Sequence, residues 1–69
     1  MYRLVAKPAG PDGREDALDC ASSAQIFLAA QRLFARRPGA WSVQVDEDGA
    51  PLYEIARPRE GGPLMILPL

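Results

Sequence analysis

Between Ser22 and Gly39 the apolar residues Ile26, Phe27, Ala30, Leu33 and Phe34 recur at i, i+1, i+4, i+7 and i+8, while Gln25, Arg32 and Arg36 face away. That spacing gives one apolar stripe, the pattern of a helix lying on a sheet. Ser22 and Gln25 have the spacing of a capping box, in which the hydroxyl accepts from the Gln25 amide N–H and the Gln25 side chain reaches back to the Ser22 amide. Arg36 and Arg37 lie where the helix dipole favours cations, and Pro38-Gly39 ends the run. At ~1.5 Å per residue, about fifteen residues span roughly 22 Å, which matches a strand of about seven residues at ~3.3 Å each.

The period then changes to two. Trp41, Val43 and Val45 alternate with Ser42, Gln44 and Asp46, and Tyr53, Ile55 and Arg57 follow after Asp46-Glu47-Asp48-Gly49-Ala50, so a hairpin is expected. A two-residue Asp48-Gly49 loop would place Val45 opposite Leu52 and Val43 opposite Glu54, mixing a charge into the apolar face. A three-residue loop of Glu47, Asp48 and Gly49, a type I turn with a left-handed glycine bulge, places Val43 opposite Tyr53 and Trp41 opposite Ile55. The bulged three-residue loop is the expected one. It puts Trp41 and Tyr53 on the face that the helix covers.

Ahead of the helix, Tyr2 to Lys7 reads as a strand with Tyr2, Leu4 and Ala6 on one face and Arg3, Val5 and Lys7 on the other. Pro8 to Gly13 is dense in turn residues, and Asp12-Gly13 suits a tight reversal. Arg14 to Cys20 returns either irregularly or as an edge strand with Leu18 and Cys20 inward, because Glu15, Asp16 and Asp19 have poor strand propensity. Arg57 to Pro63 reads as a loop. The tail Leu64-Met65-Ile66-Leu67-Pro68-Leu69 is apolar on both strand faces, and both a fifth strand and an intermolecular contact remain open for it. The fold class is α+β: a single helix packed on one face of a small antiparallel sheet, order ββαββ, with room for a fifth C-terminal strand. Placing the strand that follows the helix beside the first strand makes every neighbouring pair antiparallel.

Sixty-nine residues form one domain, and a chain of this size removes only about 60% of its unfolded surface on folding, so exposed apolar surface needs a reason. Cys20 is the sole cysteine and histidine is absent, so neither an intrachain disulfide nor the usual metal cluster braces the domain. A net charge of −1 supplies no global attraction to nucleic acid or anionic membrane. No apolar run approaches membrane-spanning length and no leader pattern opens the sequence, so a cytoplasmic protein is expected.

Candidate chemistry is sparse. Without histidine, general acid–base catalysis loses its commonest agent. Cys20 precedes the helix N-terminus, where the dipole favours a thiolate, but a lone cysteine near a strand end also serves as a small buried hydrophobe. Asp46, Glu47 and Asp48 lack the alternation of a calcium loop and read as a solvated turn. No cofactor, metal or small-molecule ligand is expected. Arg32, Arg36 and Arg37, with Arg57 and Arg59, offer phosphate contacts, yet Glu54 and Glu60 dilute the positive field. The expected function is therefore a non-enzymatic protein–protein interaction module, a homodimer or the binder of an unidentified protein. Leu64, Met65, Ile66 and Leu67 form its expected interface, joined by Val5 and Leu52 on the uncovered sheet face or a strand edge. The alternative is a small nucleic-acid-associated regulator using Arg32, Arg36 and Arg37.

Overall fold

The computed structural model describes residues 1–10, 12–57 and 63–68. Strand β1 (Tyr2–Lys7) leads through a turn with Gly13 at φ +81° to strand β2 (Ala17–Cys20). A 3-10 turn (Ser23–Gln25) opens helix α1 (Ile26–Arg36), and β3 (Ser42–Glu47), β4 (Ala50–Ala56) and β5 (Met65–Pro68) complete the chain. The five strands form one sheet in the order β2-β1-β3-β4-β5, every pair antiparallel, with α1 on one face. The α+β class, the placement of β3 beside β1, and β2 as an edge strand agree with the sequence reading. The tail does pair within the chain, as the fifth strand. Most of the loop expected over 57–63, with Arg59, lies outside the described residues.

Two turns differ from expectation. The Ser22 hydroxyl makes no capping bond; the Gln25 N–H instead donates to the Ser22 carbonyl oxygen at 3.1 Å, because the chain enters through the tighter 3-10 turn. The hairpin uses the two-residue Asp48-Gly49 loop, both residues at positive φ (+50° and +88°), with Glu47 opposite Ala50. Positive φ at both positions matches the twist of the flanking strands. The feared mismatch is avoided further along, where a bulge between Val45 and Asp46 absorbs Leu52, so that Val45 faces Tyr53 and Val43 faces Ile55. The apolar face is kept by a bulge within the strand, and the three-residue loop is not used.

The core lies between α1 and the sheet. Leu4, Ala6, Ala30, Leu33, Val43, Val45 and Ile55 are fully buried, and Ile26, Ala29, Phe34 and Ala40 nearly so. Trp41 is not among them. The bulge sets Val43 opposite Ile55, which moves Trp41 one pair beyond, level with Arg57, and leaves it 70% exposed. Phe27 is also largely exposed, with Ala29 taking its expected place. The buried arc centres on Ile26, Ala30 and Leu33, and at ~100° per residue Phe27 falls on the helix flank.

Candidate functional site

Five strands spaced about 4.8 Å apart span roughly 19 Å, whereas a helix with its side chains is about 10 Å wide. One helix therefore covers about half the sheet. Here α1 packs on β1 and β2 and, less extensively, on β3, and the open part of the same face is β5 with the Tyr53 end of β4, beyond the buried Ile55. The row Ala6, Val43, Ile55, Ile66 runs straight across this boundary. Its first three members are fully buried and Ile66 is 51% exposed. In the next row, Leu4 and Val45 are buried, Tyr53 is half-buried and Pro68 is exposed. Leu64 and Tyr53 pack against the margin of the core and form the floor of this shelf.

The six expected interface residues are not brought into one patch. Leu64 and Ile66 belong to the shelf, whereas Met65 and Leu67 point to the opposite face, beside Ala56 and Glu54. Val5 is half-buried on β1 between Ala17 and Gln44, three strands from β5, and Leu52 is exposed at the bulge. The sheet face away from the helix is polar across its middle. There Arg3 Nη1 pairs with Asp19 at 3.6 Å, Gln44 Nε2 donates to Asp46 at 3.0 Å, and Lys7, Ser42 and Glu54 share the surface.

The outer edge of β5 is poorly suited to strand addition. Pro68 has no N–H, so its pairing with Tyr53 is the kind without hydrogen bonds, and Met65 and Leu67 direct their amides to β4. Within β5 only Ile66 then presents an outward N–H. A short edge ending in proline is a known defence against edge-to-edge pairing. What β5 offers a partner is its side chains, and all four of its residues are exposed.

Two arginines, Arg37 and Arg57, are held by close contacts within the fold. Arg37 Nη1 donates to Asp16 Oδ2 at 2.9 Å, and Arg36 Nη1 lies 4.0 Å from the other oxygen of the same carboxylate. Arg57 donates from Nη2 to the Phe34 carbonyl oxygen at 2.7 Å and from Nε to that of Ala40 at 3.0 Å, and its guanidinium stacks 4.6 Å from the Phe34 ring centre. It closes the C-terminal end of α1. Arg32 stands apart on the other flank, beside a cleft of about 300 Å³ that is also lined by Leu18, Asp19, Cys20 and Leu28. Cys20 is half-buried, with Sγ 3.7 Å from the Ser22 carbonyl oxygen. At the hairpin tip Asp48 accepts from the Met1 amine at 2.9 Å, and no cluster of metal-ligating side chains occurs among the described residues.

Burial raises the Tyr53 phenol above its ordinary pKa, and the nearby Cys20 adds to the shift. Tyr2 is raised as well, by hydrogen bonding to Glu47 and by that carboxylate's charge. A raised pKa keeps both phenols neutral at ordinary pH. The exposed members that sequence reasoning missed are Phe27, Leu28 and Trp41, at 43%, 51% and 70%. One signal was available for Leu28, since positions 24, 28, 31 and 35 of the outer helix face are Ala, Leu, Gln and Ala, without a charge. No helix among the described residues is long and apolar enough to cross a membrane. No protein-family model, curated protein or solved structure matches the chain, so the geometry of the half-covered sheet carries the functional reading.

Proposed function

We propose that this chain is a non-enzymatic protein–protein interaction module that self-associates, in the cytoplasm, through the apolar side chains of its β4–β5 half. The supporting observation is Ile66, half-exposed at the end of a row whose other members are fully buried. A monomer leaves that row unfinished; a second chain completes it. A single unpaired cysteine suits a reducing compartment. The nucleic-acid alternative is disfavoured by the engagement of Arg36 and Arg37 with Asp16, which leaves Arg32 alone of the three candidates without a recorded ion pair among the described residues. Sedimentation of the intact chain over roughly 1 μM to 1 mM, the range of ordinary association constants, tests the proposal. Association predicts a mass twice the 7.5 kDa of the chain at the upper end. A 7.5 kDa species throughout refutes it.

A further inference from the structure

We propose that the occupant of the bare shelf over β4 and β5 is helix α1 of a second copy of this chain, the two copies related by a two-fold axis running along the strands. This deepens the self-association reading and rests on it. The open strip, β5 and the Tyr53 end of β4, lies alongside α1, where a second helix in the same layer would sit. A helix that faces only water on its outer side carries charge there. The outer face of α1 and its 3-10 turn is instead Ala24, Leu28, Gln31 and Ala35, all exposed and uncharged, spaced four, three and four residues apart like the seam of a packed helix. Its two charged residues, Arg32 and Arg36, lie on the flank toward β2, as Arg32 beside Leu18 and the Arg36 contact to Asp16 place them. The opposite flank carries Phe27 and Phe34, and Arg57 at the end of β4 touches Phe34, so this flank looks toward the shelf.

A two-fold along the strands satisfies all these surfaces together. It sets the two helices side by side through their Phe27 flanks, in one layer between two five-stranded sheets. The charge-poor outer face of each helix then covers the other copy's Tyr53, Leu64, Ile66 and Pro68. Such an interface is isologous, because helix meets shelf twice. Phe27, Leu28, Trp41 and Ile66 together leave on the order of 450 Å² of apolar surface exposed, with Leu28 at the rim of the Arg32 cleft. The alanines of the helix face and the half-buried floor bring the patch toward the ~800 Å² per partner of a standard interface. Packing through the opposite sheet face would bury the Arg3–Asp19 pair and Glu54, and would leave the helix face unexplained.

The test is the solution mass of the intact chain and of substituted chains at equal concentration, with circular dichroism to verify folding. Leu28→Glu and Ala35→Glu on the helix, and Ile66→Glu on the shelf, each convert a dimer to a folded monomer if the inference holds. Met65→Glu and Leu67→Glu, on the opposite face, leave the dimer intact. All five sites except Leu67, at 39%, are more than half exposed or are surface alanine, so the substitutions spare the core. A dimer that survives Leu28→Glu and Ala35→Glu but dissociates with Met65→Glu overturns the helix-on-shelf arrangement while self-association stands. A wild-type chain that is monomeric throughout overturns both.

Discussion

Replacing Arg57 with alanine removes the group that ties the last turn of α1 to the end of β4. Two charge-assisted bonds, to Phe34 O at 2.7 Å and Ala40 O at 3.0 Å, and the stacking on Phe34 are lost together. Hydrogen bonds to a charged donor contribute about 1.5 kcal/mol each at the low end, and the stacking about 0.5–1 kcal/mol. Arg57 is exposed overall, and solvent screening reduces these terms, so the net loss is about 2–3 kcal/mol. In a domain of this size that lowers Tm by roughly 8–24 °C. Arg57→Lys keeps the charge near the helix terminus but not the planar fork, and loses about 1 kcal/mol less than alanine does. Urea denaturation at fixed protein concentration measures both, with the midpoint moving and the slope unchanged. If Arg57→Ala lies within about 0.5 kcal/mol of the parent, or lysine replaces arginine without loss, Arg57 is a solvated cation and the capping argument fails.

Tyr53 gives a pH dependence whose sign is fixed. Its phenol is held above its ordinary value of 10.0 by burial first and Cys20 second, so it contributes stability that is fully present below about 10, where the unfolded phenol titrates, and lost as pH rises through the folded value. The urea midpoint should hold up to about pH 10 and fall beyond it, less steeply in Tyr53→Phe; tyrosinate absorbance with an ordinary midpoint for Tyr53 would contradict this. At the hairpin, Gly49 has φ +88°, so Gly49→Ala should lose about 1–2 kcal/mol, whereas Asp48→Asn should be better tolerated because asparagine accepts positive φ. Equal losses at the two positions by thermal denaturation would show that the turn backbone is not what holds the register.

The elements were readable because their signals are local. The helical stripe, the alternation through Val43 and Val45 and the alternation through Leu4 and Ala6 each fix one element and its buried face. The hairpin register was less accessible, because two devices satisfy the same requirement of an apolar face: a longer loop, or a tight loop with Leu52 extruded further on. Nothing in the spacing of Val45 and Tyr53 chooses between them; the backbone preference of Asp-Gly for a tight turn does. Trp41 and Phe27 were misplaced for reasons of register and angle. The bulge sets Val43 opposite Ile55 and so carries Trp41 past the last buried pair, to the level of Arg57. Phe27, ~100° round the helix from Ile26, falls on the flank of the buried arc. The arginines mislead similarly, since a sequence shows their charge and not the carboxylate or carbonyl oxygens that already hold them.

The balance of buried and exposed apolar groups links the fold to assembly. Among the described residues, only Leu4, Ile26, Leu33, Ile55, Val43 and Val45 are large side chains fully withdrawn from solvent, and four of the other five core residues are alanine. Against these six stand eight large hydrophobic residues, again among the described ones, exposed by more than a third. A core this small in a chain of 69 residues leaves little stability in reserve, so burying the exposed set against a second copy makes folding and association one equilibrium. Its stability then depends on protein concentration. For a folded dimer in equilibrium with two unfolded chains, each tenfold rise in concentration adds about 1.4 kcal/mol, which raises Tm by roughly 3–6 °C in an assembly of this size. Scanning calorimetry at several concentrations reads this directly. A Tm independent of concentration, together with reversible unfolding, would mean that the small core suffices alone and that the exposed set contributes nothing to folding.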